Sequence, residues 1–312
     1  MAVLLTMQQR TLAAAALVAL FVVPLTASQS QPARRMRAAD ADTIPLHLSA
    51  TRVAYGADSL QFGELRLPAG NGPFPVAVVI HGGCYLSRYA TLRNTAALSE
   101  ALTDAGIATW NVEYRRYDHP GGGWPGTFTD IADAADHVRT LAKLHPLDLT
   151  RVVTTGHSAG GQLALWLASR KELKSGTAVY RANPLAVHGV VALGPITDMR
   201  EYQTRQLRSC GNPAIESVLG GLPDAVPDRR LLVSPIERVP LGVRTILVAG
   251  DGDAIGSQSS LQAYAQAARS RGDSVEVRLG PDEGHFEVLA PFKQSGKAAM
   301  DAIKQLLGVR SN

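Results

Sequence analysis

Cysteine is scarce in this sequence, since Cys84 and Cys210 are the only two among 312 residues. Two cysteines cannot form a disulfide scaffold, and their separation does not match the spacing of a metal site, so we predict no bound metal. A single disulfide between them is possible, because an exported protein can hold one. Two free thiols are the alternative.

The net charge of the sequence is also small, at +4. Lysine and arginine are scattered along the chain, apart from the short run Ala-Arg-Arg-Met-Arg at 33–37. Because a nucleic-acid or membrane-surface partner needs a concentrated basic patch, we predict neither. Internal repeats are absent, and the 46% hydrophobic and 19% charged residues are typical of a globular protein.

No long apolar run is present near the N-terminus. The run Leu12–Val23 is shorter than the roughly 20 residues that span a bilayer, so we predict no stable membrane anchor. It follows Arg10 and stops at Pro24, and the small residues around Thr26 and Ala27 suit a cleavage site. This pattern is typical of a signal peptide over residues 1–27. We therefore expect a secreted or periplasmic protein.

An uncleaved tether, or a start at Met7, is the alternative interpretation of the N-terminus. Residues 28–45 are polar and rich in proline and alanine, which predicts a disordered lead-in. The remaining residues, 46–312, are expected to form the folded domain.

Within that domain, short apolar segments alternate with helical patterns. The predicted strands cover residues 62–68, 75–82, 107–114, 151–156, 187–194, 243–250 and 274–280. The predicted helices cover residues 90–106, 130–144, 158–170, 257–272 and 292–308, with Asp130 as an N-cap and Gly106 as a C-cap. Several strands are apolar at consecutive positions, as strands buried on both faces must be. The alternation predicts a mainly parallel sheet with helices on both faces.

Two segments interrupt this alternation. Residues 115–128 form a Gly/Pro-rich loop. Residues 195–242 contain prolines and short helical patterns, and the segment is too long for a simple connection. We interpret it as a lid rather than as an independent domain.

The segment Gly-His-Ser-Ala-Gly at 156–160 lies between a predicted strand and a predicted helix. A tight strand-to-helix turn holds its serine in a strained, exposed conformation, and the flanking glycines keep side chains away. An ordinary N-cap is the simpler interpretation of Ser158. The strand before and the helix after it favour a nucleophile.

The segment His-Gly-Gly-Cys at 81–84 directly follows another buried strand. Consecutive glycines let backbone N–H groups approach a developing alkoxide closely, as an oxyanion hole requires. The loop would supply Gly83 or Cys84 as one donor, and Ala159, the residue after the serine, would supply the other. A plain Gly-Gly turn is the alternative.

The segment Gly-His-Ser-Ala-Gly resembles the nucleophile turn of the α/β hydrolases, and this resemblance implies that the acid and the base follow the serine in the chain. Of the eight histidines, His188 and His285 do so, and only His285 follows a strand, which places it at the carboxyl edge of the sheet. Asp251 and Asp253 follow the strand at 243–250, and Asp198 is a more remote choice. Asp253 is preferred because it lies further from the strand end.

The chain resembles the α/β-hydrolase superfamily, in particular its acetyl-esterase/lipase and kynurenine-formamidase-like branch. The resemblance covers about residues 60–308 and is carried by HGGCY, VEYRR, GGGWPGTFTDIADA, GHSAGGQLALWLA, GDGDAIGSQS and GHFEV. It implies an α/β-hydrolase fold, and it implies Ser158, Asp253 and His285 as the catalytic triad. Cys84 followed by Tyr85 departs from the usual oxyanion loop and leaves the second donor open.

The resemblance implies acyl transfer without a metal or organic cofactor, on a small-molecule ester. We therefore predict a serine carboxylesterase acting on small or medium esters. The alternatives on the same fold are an arylformamidase, which the signal peptide disfavours, and a prolyl-oligopeptidase-like peptidase, which would carry an extra N-terminal domain. A non-catalytic binding module would be expected to lack the serine or the histidine. The sequence does not indicate the oligomeric state.

Overall fold

Each predicted strand is present in the structure, a computed structural model that describes residues 34–310. The strands are β1 (Thr51–Ala54), β2 (Phe62–Arg66), β3 (Phe74–Ile80), β4 (Ala108–Val112), β5 (Leu147–His157), β6 (Gly189–Leu193), β7 (Arg244–Gly250) and β8 (Val275–Gly280). Strand β1 was not predicted. All residues of β3, β4 and β6 are buried, as the consecutive apolar positions indicated.

The strands form one eight-stranded sheet in the order β1-β2-β4-β3-β5-β6-β7-β8. Strand β2 pairs antiparallel with both β1 and β4, and the pairs from β4 to β8 are parallel. In the parallel region Ile80 pairs with Gly156, and Gly250 pairs with Gly280. The carboxyl ends of these strands therefore meet at one edge of the sheet.

Helices cover both faces of this sheet, one apolar cluster lying on each side. They are α1 (Ala38–Asp42), α2 (Ala96–Asp104), α3 (Gly126–Asp136), α4 (Val138–Leu141), α5 (Ala159–Ser169), α6 (Met199–Gln203), α7 (Gln206–Cys210), α8 (Ala214–Leu219), α9 (Pro227–Val233), α10 (Gln258–Arg269) and α11 (Gln294–Leu307). Gly106 follows α2 with a φ of +86°, which fits its predicted role in ending the helix. The predicted N-cap Asp130 is wrong. It lies inside α3 as a buried ion-pair partner of Arg115 at 2.6 Å.

The predicted lid, residues 195–242, contains α6 to α9. Its buried side chains, including Tyr202 and Val218, belong to the same apolar cluster as strands β3 to β6. Four hydrogen bonds connect it to α5. Gln162 Nε2 donates to Val233 O, Trp166 Nε1 donates to Leu232 O, and the guanidinium of Arg238 donates to Oγ and O of Ser169. The segment is therefore packed on the body of the protein.

The structure differs from the prediction of a disordered lead-in over residues 34–45. This stretch contains α1, and Ala41 is fully buried in the apolar cluster on the face of α11. The polar, alanine-rich composition suggested disorder, but small side chains allow the backbone to pack closely against the domain. The predicted signal peptide and residues 28–33 lie outside the described residues. Among residues 34–310, no helix has the length and apolar character needed to cross a membrane.

Candidate active site

Ser158 lies at the turn between β5 and α5, in the strained conformation that the motif predicts. Its φ of 57° and ψ of −120° fall outside the regions that non-glycine residues normally adopt. Both flanking glycines are required, because a Cβ at Gly156 would lie 2.3 Å from Gly160 O, and a Cβ at Gly160 would lie 2.2 Å from Ile80 O. The two glycines therefore permit the tight turn that exposes the side chain of Ser158, as a reactive serine requires.

Asp253 and His285 meet at the carboxyl ends of β7 and β8. Nδ1–H of His285 donates to Oδ2 of Asp253 at 2.8 Å. The other carboxylate oxygen, Oδ1, accepts the backbone N–H groups of Ile255 and Gly256 at 2.7 and 3.0 Å. Burial alone would raise the pKa of Asp253, but His285 and these hydrogen bonds hold it below its usual range. The buried carboxylate is therefore ionised and orients the imidazole.

The other residues considered for these roles have different surroundings. Asp251 is exposed at the end of β7. Asp198 caps α6, where its Oδ1 accepts the N–H groups of Arg200 and Glu201. His188 precedes β6, at the opposite edge of the sheet from Ser158.

Gly194, just after β6, leaves room for the acid and the base to meet. It has a φ of +49°, and a Cβ at this position would lie 2.5 Å from Asp253 Oδ2 and 3.0 Å from His285 Nδ1. The hydrogen bond between Asp253 and His285 is therefore possible only next to a residue without a side chain.

The loop after β3 passes close to the nucleophile. A Cβ at Gly82 would lie 2.9 Å from the Cβ of Ser158. The amide N–H groups of Gly83, Cys84 and Ala159 donate none of the hydrogen bonds found among residues 34–310. These N–H groups are therefore free to bind an oxyanion, and the structure does not choose between Gly83 and Cys84.

Cys84 is bonded to Cys210 in a disulfide, which was one of the alternatives left open by the sequence. The two Cα atoms lie 5.9 Å apart, within the range that a bridge allows. Cys84 has a φ of +52°, in the left-handed region, and Cys210 ends α7 in the predicted lid. The bridge therefore fixes the loop of potential oxyanion donors to the lid.

Behind this loop lies a buried ionic network that the sequence motifs did not identify. Glu113 contacts Nε2 of His81 at 2.9 Å and Nη1 of Arg116 at 2.8 Å. Its carboxylate also accepts the N–H of Leu92. Burial opposes ionisation of Glu113, but His81 and Arg116 lower its pKa to about 2. The segment Val-Glu-Tyr-Arg-Arg, quoted above for the resemblance, contains two of these residues.

His157, next to the nucleophile, supports the loop that carries the base. Its Nε2–H donates to the backbone oxygen of His285 at 2.8 Å, and the two imidazole rings lie 4.3 Å apart. Burial and the neighbouring His285 lower the pKa of His157 to about 3, so this ring is neutral at physiological pH. This role fits the prediction that His157 packs and forms hydrogen bonds rather than reacting.

Ser158 and His285 line one cavity of about 280 Å³. The hydrogen bonds within residues 34–310 do not include one from Ser158 Oγ to His285, and such contacts often tighten only when substrate binds. The other lining residues are mostly apolar or small. Among them, only Gly83, Cys84 and His157 were considered from the sequence. The remaining lining residues are Ala38, Tyr89, Ala90, Asn94, Ser209, Ala254, Ile255 and Phe286.

The arrangement provides a strained serine, a histidine held by an ionised carboxylate and free backbone donors around one apolar cavity. These are the groups needed for nucleophilic acyl transfer. Within residues 34–310, no cluster of His, Cys, Asp or Glu is arranged to bind a metal ion.

A sequence-family comparison matches residues 64–264 to the BD-FAE family model, which is more than half of the chain. A comparison with curated protein sequences gives no match.

Among solved structures, a truncated carbohydrate esterase from gut microbiota is 22% identical to the chain, with a TM-score of 0.70 over 83% of this chain and 95% of that protein. Inhibited esterase B from Lactobacillus rhamnosis is 19% identical, with a TM-score of 0.71 over 87% and 92% of the two chains. A bacterial heroin esterase is 25% identical, with a TM-score of 0.63 over 84% and 85%. These similarities confirm the predicted α/β-hydrolase fold.

Proposed function

The chain belongs to the BD-FAE family of α/β-hydrolase-type esterases and is a serine carboxylesterase, and we propose that it cleaves small or medium carboxylic esters through an acyl-enzyme formed on Ser158. The observation that carries this proposal is the 2.8 Å hydrogen bond between Asp253 and His285 at the wall of the cavity that Ser158 also lines.

In this mechanism Nε2 of His285 removes the proton from Ser158 as the serine oxygen attacks the ester carbonyl. The developing oxyanion accepts hydrogen bonds from the N–H of Ala159 and from Gly83 or Cys84. Asp253 keeps Nδ1 of His285 protonated and stabilises the imidazolium. His285 then protonates the leaving alcohol, and the acyl group stays on Ser158. In the second half, His285 removes a proton from water, the water attacks the acyl-enzyme, and His285 returns the proton to Ser158 as the acid leaves.

The size and lining of the cavity support small or medium acyl esters as substrates. Its volume of about 280 Å³ lies just below the range of about 300–1,000 Å³ that is typical of small-molecule sites. Tyr89, Ile255 and Phe286 provide apolar surface and leave few polar groups to bind a highly charged acyl chain. Similar structures include a carbohydrate esterase and an acetyl ester-xyloside bifunctional hydrolase, so acetyl groups on carbohydrate are included in this proposal.

The test is a hydrolysis profile of the purified protein together with labelling of the nucleophile. The profile should cover p-nitrophenyl acetate to laurate, acetylated xylan, methyl ferulate, N-formylkynurenine and aminoacyl anilides. We expect hydrolysis of the shorter esters, labelling of Ser158 by an organophosphonate, and a loss of about a million-fold in kcat for Ser158→Ala. Labelling of another residue, or a Ser158→Ala variant with near-normal turnover, would refute the proposal.

We also propose that the protein is exported and that its mature chain begins near Ser28. This rests on the short apolar run after Arg10 and on the small residues before position 28. N-terminal sequencing of the native protein tests it. A cytoplasmic chain that keeps residues 1–27 would contradict it.

A further inference from the structure

The segment Arg34–Thr43, here called the N-terminal arm, contributes to the wall of the catalytic cavity. Ala38, in the first turn of α1, lines the cavity together with Ser158 and His285. More than 100 residues separate it in the chain from either of them. No motif in the sequence assigned a role to this segment.

One side of the arm is attached to the loops that carry the acid and the base. The backbone N–H of Met36 donates to Oε1 of Glu287 at 2.5 Å, and Oε2 of the same carboxylate accepts the N–H of Gly284 at 2.9 Å. Glu287 is 2% exposed. A single buried carboxylate therefore joins the arm to the residue that precedes His285.

Arg35 adds a second contact on this side. Its guanidinium donates to the backbone oxygen of Gly252 at 3.3 Å, next to Asp253. The same side chain lies over Gly252 and Gly284, because a Cβ built on either glycine would meet it. The arm thus crosses both catalytic loops.

The other side of the arm is attached to the segment that follows the oxyanion loop. Nδ2 of Asn94 donates to Ala38 O and to Asp42 Oδ1, both at 3.2 Å. Asn94 is itself buried and lines the cavity. Ala41 enters the apolar cluster below. With both sides attached, the position of the Ala38 methyl group is fixed relative to the nucleophile.

We propose that the N-terminal arm determines substrate size, with Ala38 limiting the ester that the cavity accepts. This inference rests on the proposed function. The methyl group of Ala38 leaves room for a substrate group, and a longer side chain at this position would occupy that room. Since a single methylene in an apolar pocket changes discrimination by about 10- to 200-fold, a small change at the wall should produce a large change in specificity.

The experiment compares Ala38→Leu with Ala39→Leu in the full chain. Ala39 is the matched control because it lies next to Ala38 in the same helix, is exposed and does not line the cavity. Leucine is a good helix former, so both variants should keep α1. The kcat/KM of each variant is measured on p-nitrophenyl esters of increasing acyl length and on acetate esters of increasingly large alcohols.

For Ala38→Leu we expect the kcat/KM of the largest accepted esters, relative to the smallest, to fall about tenfold or more in one of the two series. The series that changes identifies whether the acyl or the alcohol group contacts the arm. Ala39→Leu should keep the wild-type ratios. Titration of Ser158 with a phosphonate and the melting temperature verify that each variant is folded and competent.

Unchanged ratios in both series, from a folded Ala38→Leu protein with a fully titratable serine, would overturn the inference and leave the proposed function intact. An equal loss in Ala38→Leu and Ala39→Leu would also overturn it, because the effect would then not depend on the cavity. A wild-type protein that hydrolyses no ester and whose Ser158 does not react would instead refute the proposed function, and the inference with it.

Discussion

Nδ1–H of His285 donates to Oδ2 of Asp253 at 2.8 Å, while Asp251, only two residues earlier, is exposed to solvent. Asp253→Asn should therefore lower kcat by about ten-thousand-fold, because the amide no longer stabilises the correct tautomer and the imidazolium. Asp251→Asn should keep nearly full activity and a similar melting temperature. Steady-state kinetics and thermal unfolding of both variants check this. An active Asp253→Asn protein beside an inactive Asp251→Asn protein would assign the acid to Asp251.

His157 should make the stability of the protein depend on pH. Its pKa is about 3 in the native protein, whereas an unfolded histidine titrates near 6.5. Between these values the unfolded chain binds a proton that the native protein excludes. The stabilisation is therefore complete above about pH 6.5 and decreases as the pH falls, with a slope that approaches about 1.4 kcal/mol per pH unit.

The test is urea unfolding of the wild type and of His157→Gln at pH 7, 6 and 5. We expect a smaller loss of unfolding free energy on acidification in the variant than in the wild type. His188→Gln is the control, because His188 is exposed at the other edge of the sheet. If His157→Gln and the wild type lose the same free energy between pH 7 and pH 5, the native pKa of His157 is not lowered.

Removal of the bridge between Cys84 and Cys210 should reduce both stability and turnover. The bridge links residues 126 positions apart, and the loss of a disulfide typically lowers the unfolding free energy by about 2–5 kcal/mol. The Cys84→Ala/Cys210→Ala variant should also have a kcat reduced by up to about a hundredfold, because one potential oxyanion donor is no longer held in place. Unfolding and kinetics measure these effects.

Reduced and alkylated wild type is the control for the disulfide variant and should behave in the same way. Intact mass without reductant should show no alkylation of the native protein. Two alkylated thiols under those conditions, or a variant as stable and active as the wild type, would contradict the prediction.

Glu113→Gln should destabilise the protein, because Arg116 would remain buried without its charged partner. Breaking a buried ion pair typically lowers the unfolding free energy by about 3–5 kcal/mol. Glu276→Gln is the matched control. It removes partly exposed ion pairs with Arg278 at 2.7 Å and with Arg244 at 3.4 Å, and the loss of each should change the unfolding free energy by less than about 1 kcal/mol. Similar losses in the two variants would show that the Glu113 network does not stabilise the fold.

Most of the sheet could be predicted from the sequence because its strands are buried on both faces, and consecutive apolar residues indicate such strands directly. Strand β1 carries no such pattern, since its burial is low and it is held by pairing to β2. The position of Ser158 followed from glycines whose side-chain-free backbone is needed at this turn. Local sequence therefore contains the information for both features.

The parts of the site that the sequence did not reveal depend on contacts between distant residues. Residues 34–45 are held on the domain by contacts such as the hydrogen bond from the backbone N–H of Met36 to Glu287, which lies near the other end of the sequence. Asn94 and Tyr89 line the cavity without belonging to a recognisable motif. Asp130 resembled a helix cap in sequence, but Arg115 and the burial of α3 determine its position.

The absence of a side chain at Gly194 has a consequence for how the sequence can vary. Any other amino acid would place a carbon atom 2.5 Å from Asp253 Oδ2 and 3.0 Å from His285 Nδ1, at a φ of +49°. The same substitution would thus strain the backbone and push the acid and the base apart. In a saturation scan of the chain, position 194 should tolerate as few replacements as the reacting residues do, although glycine contributes no chemical group to the reaction.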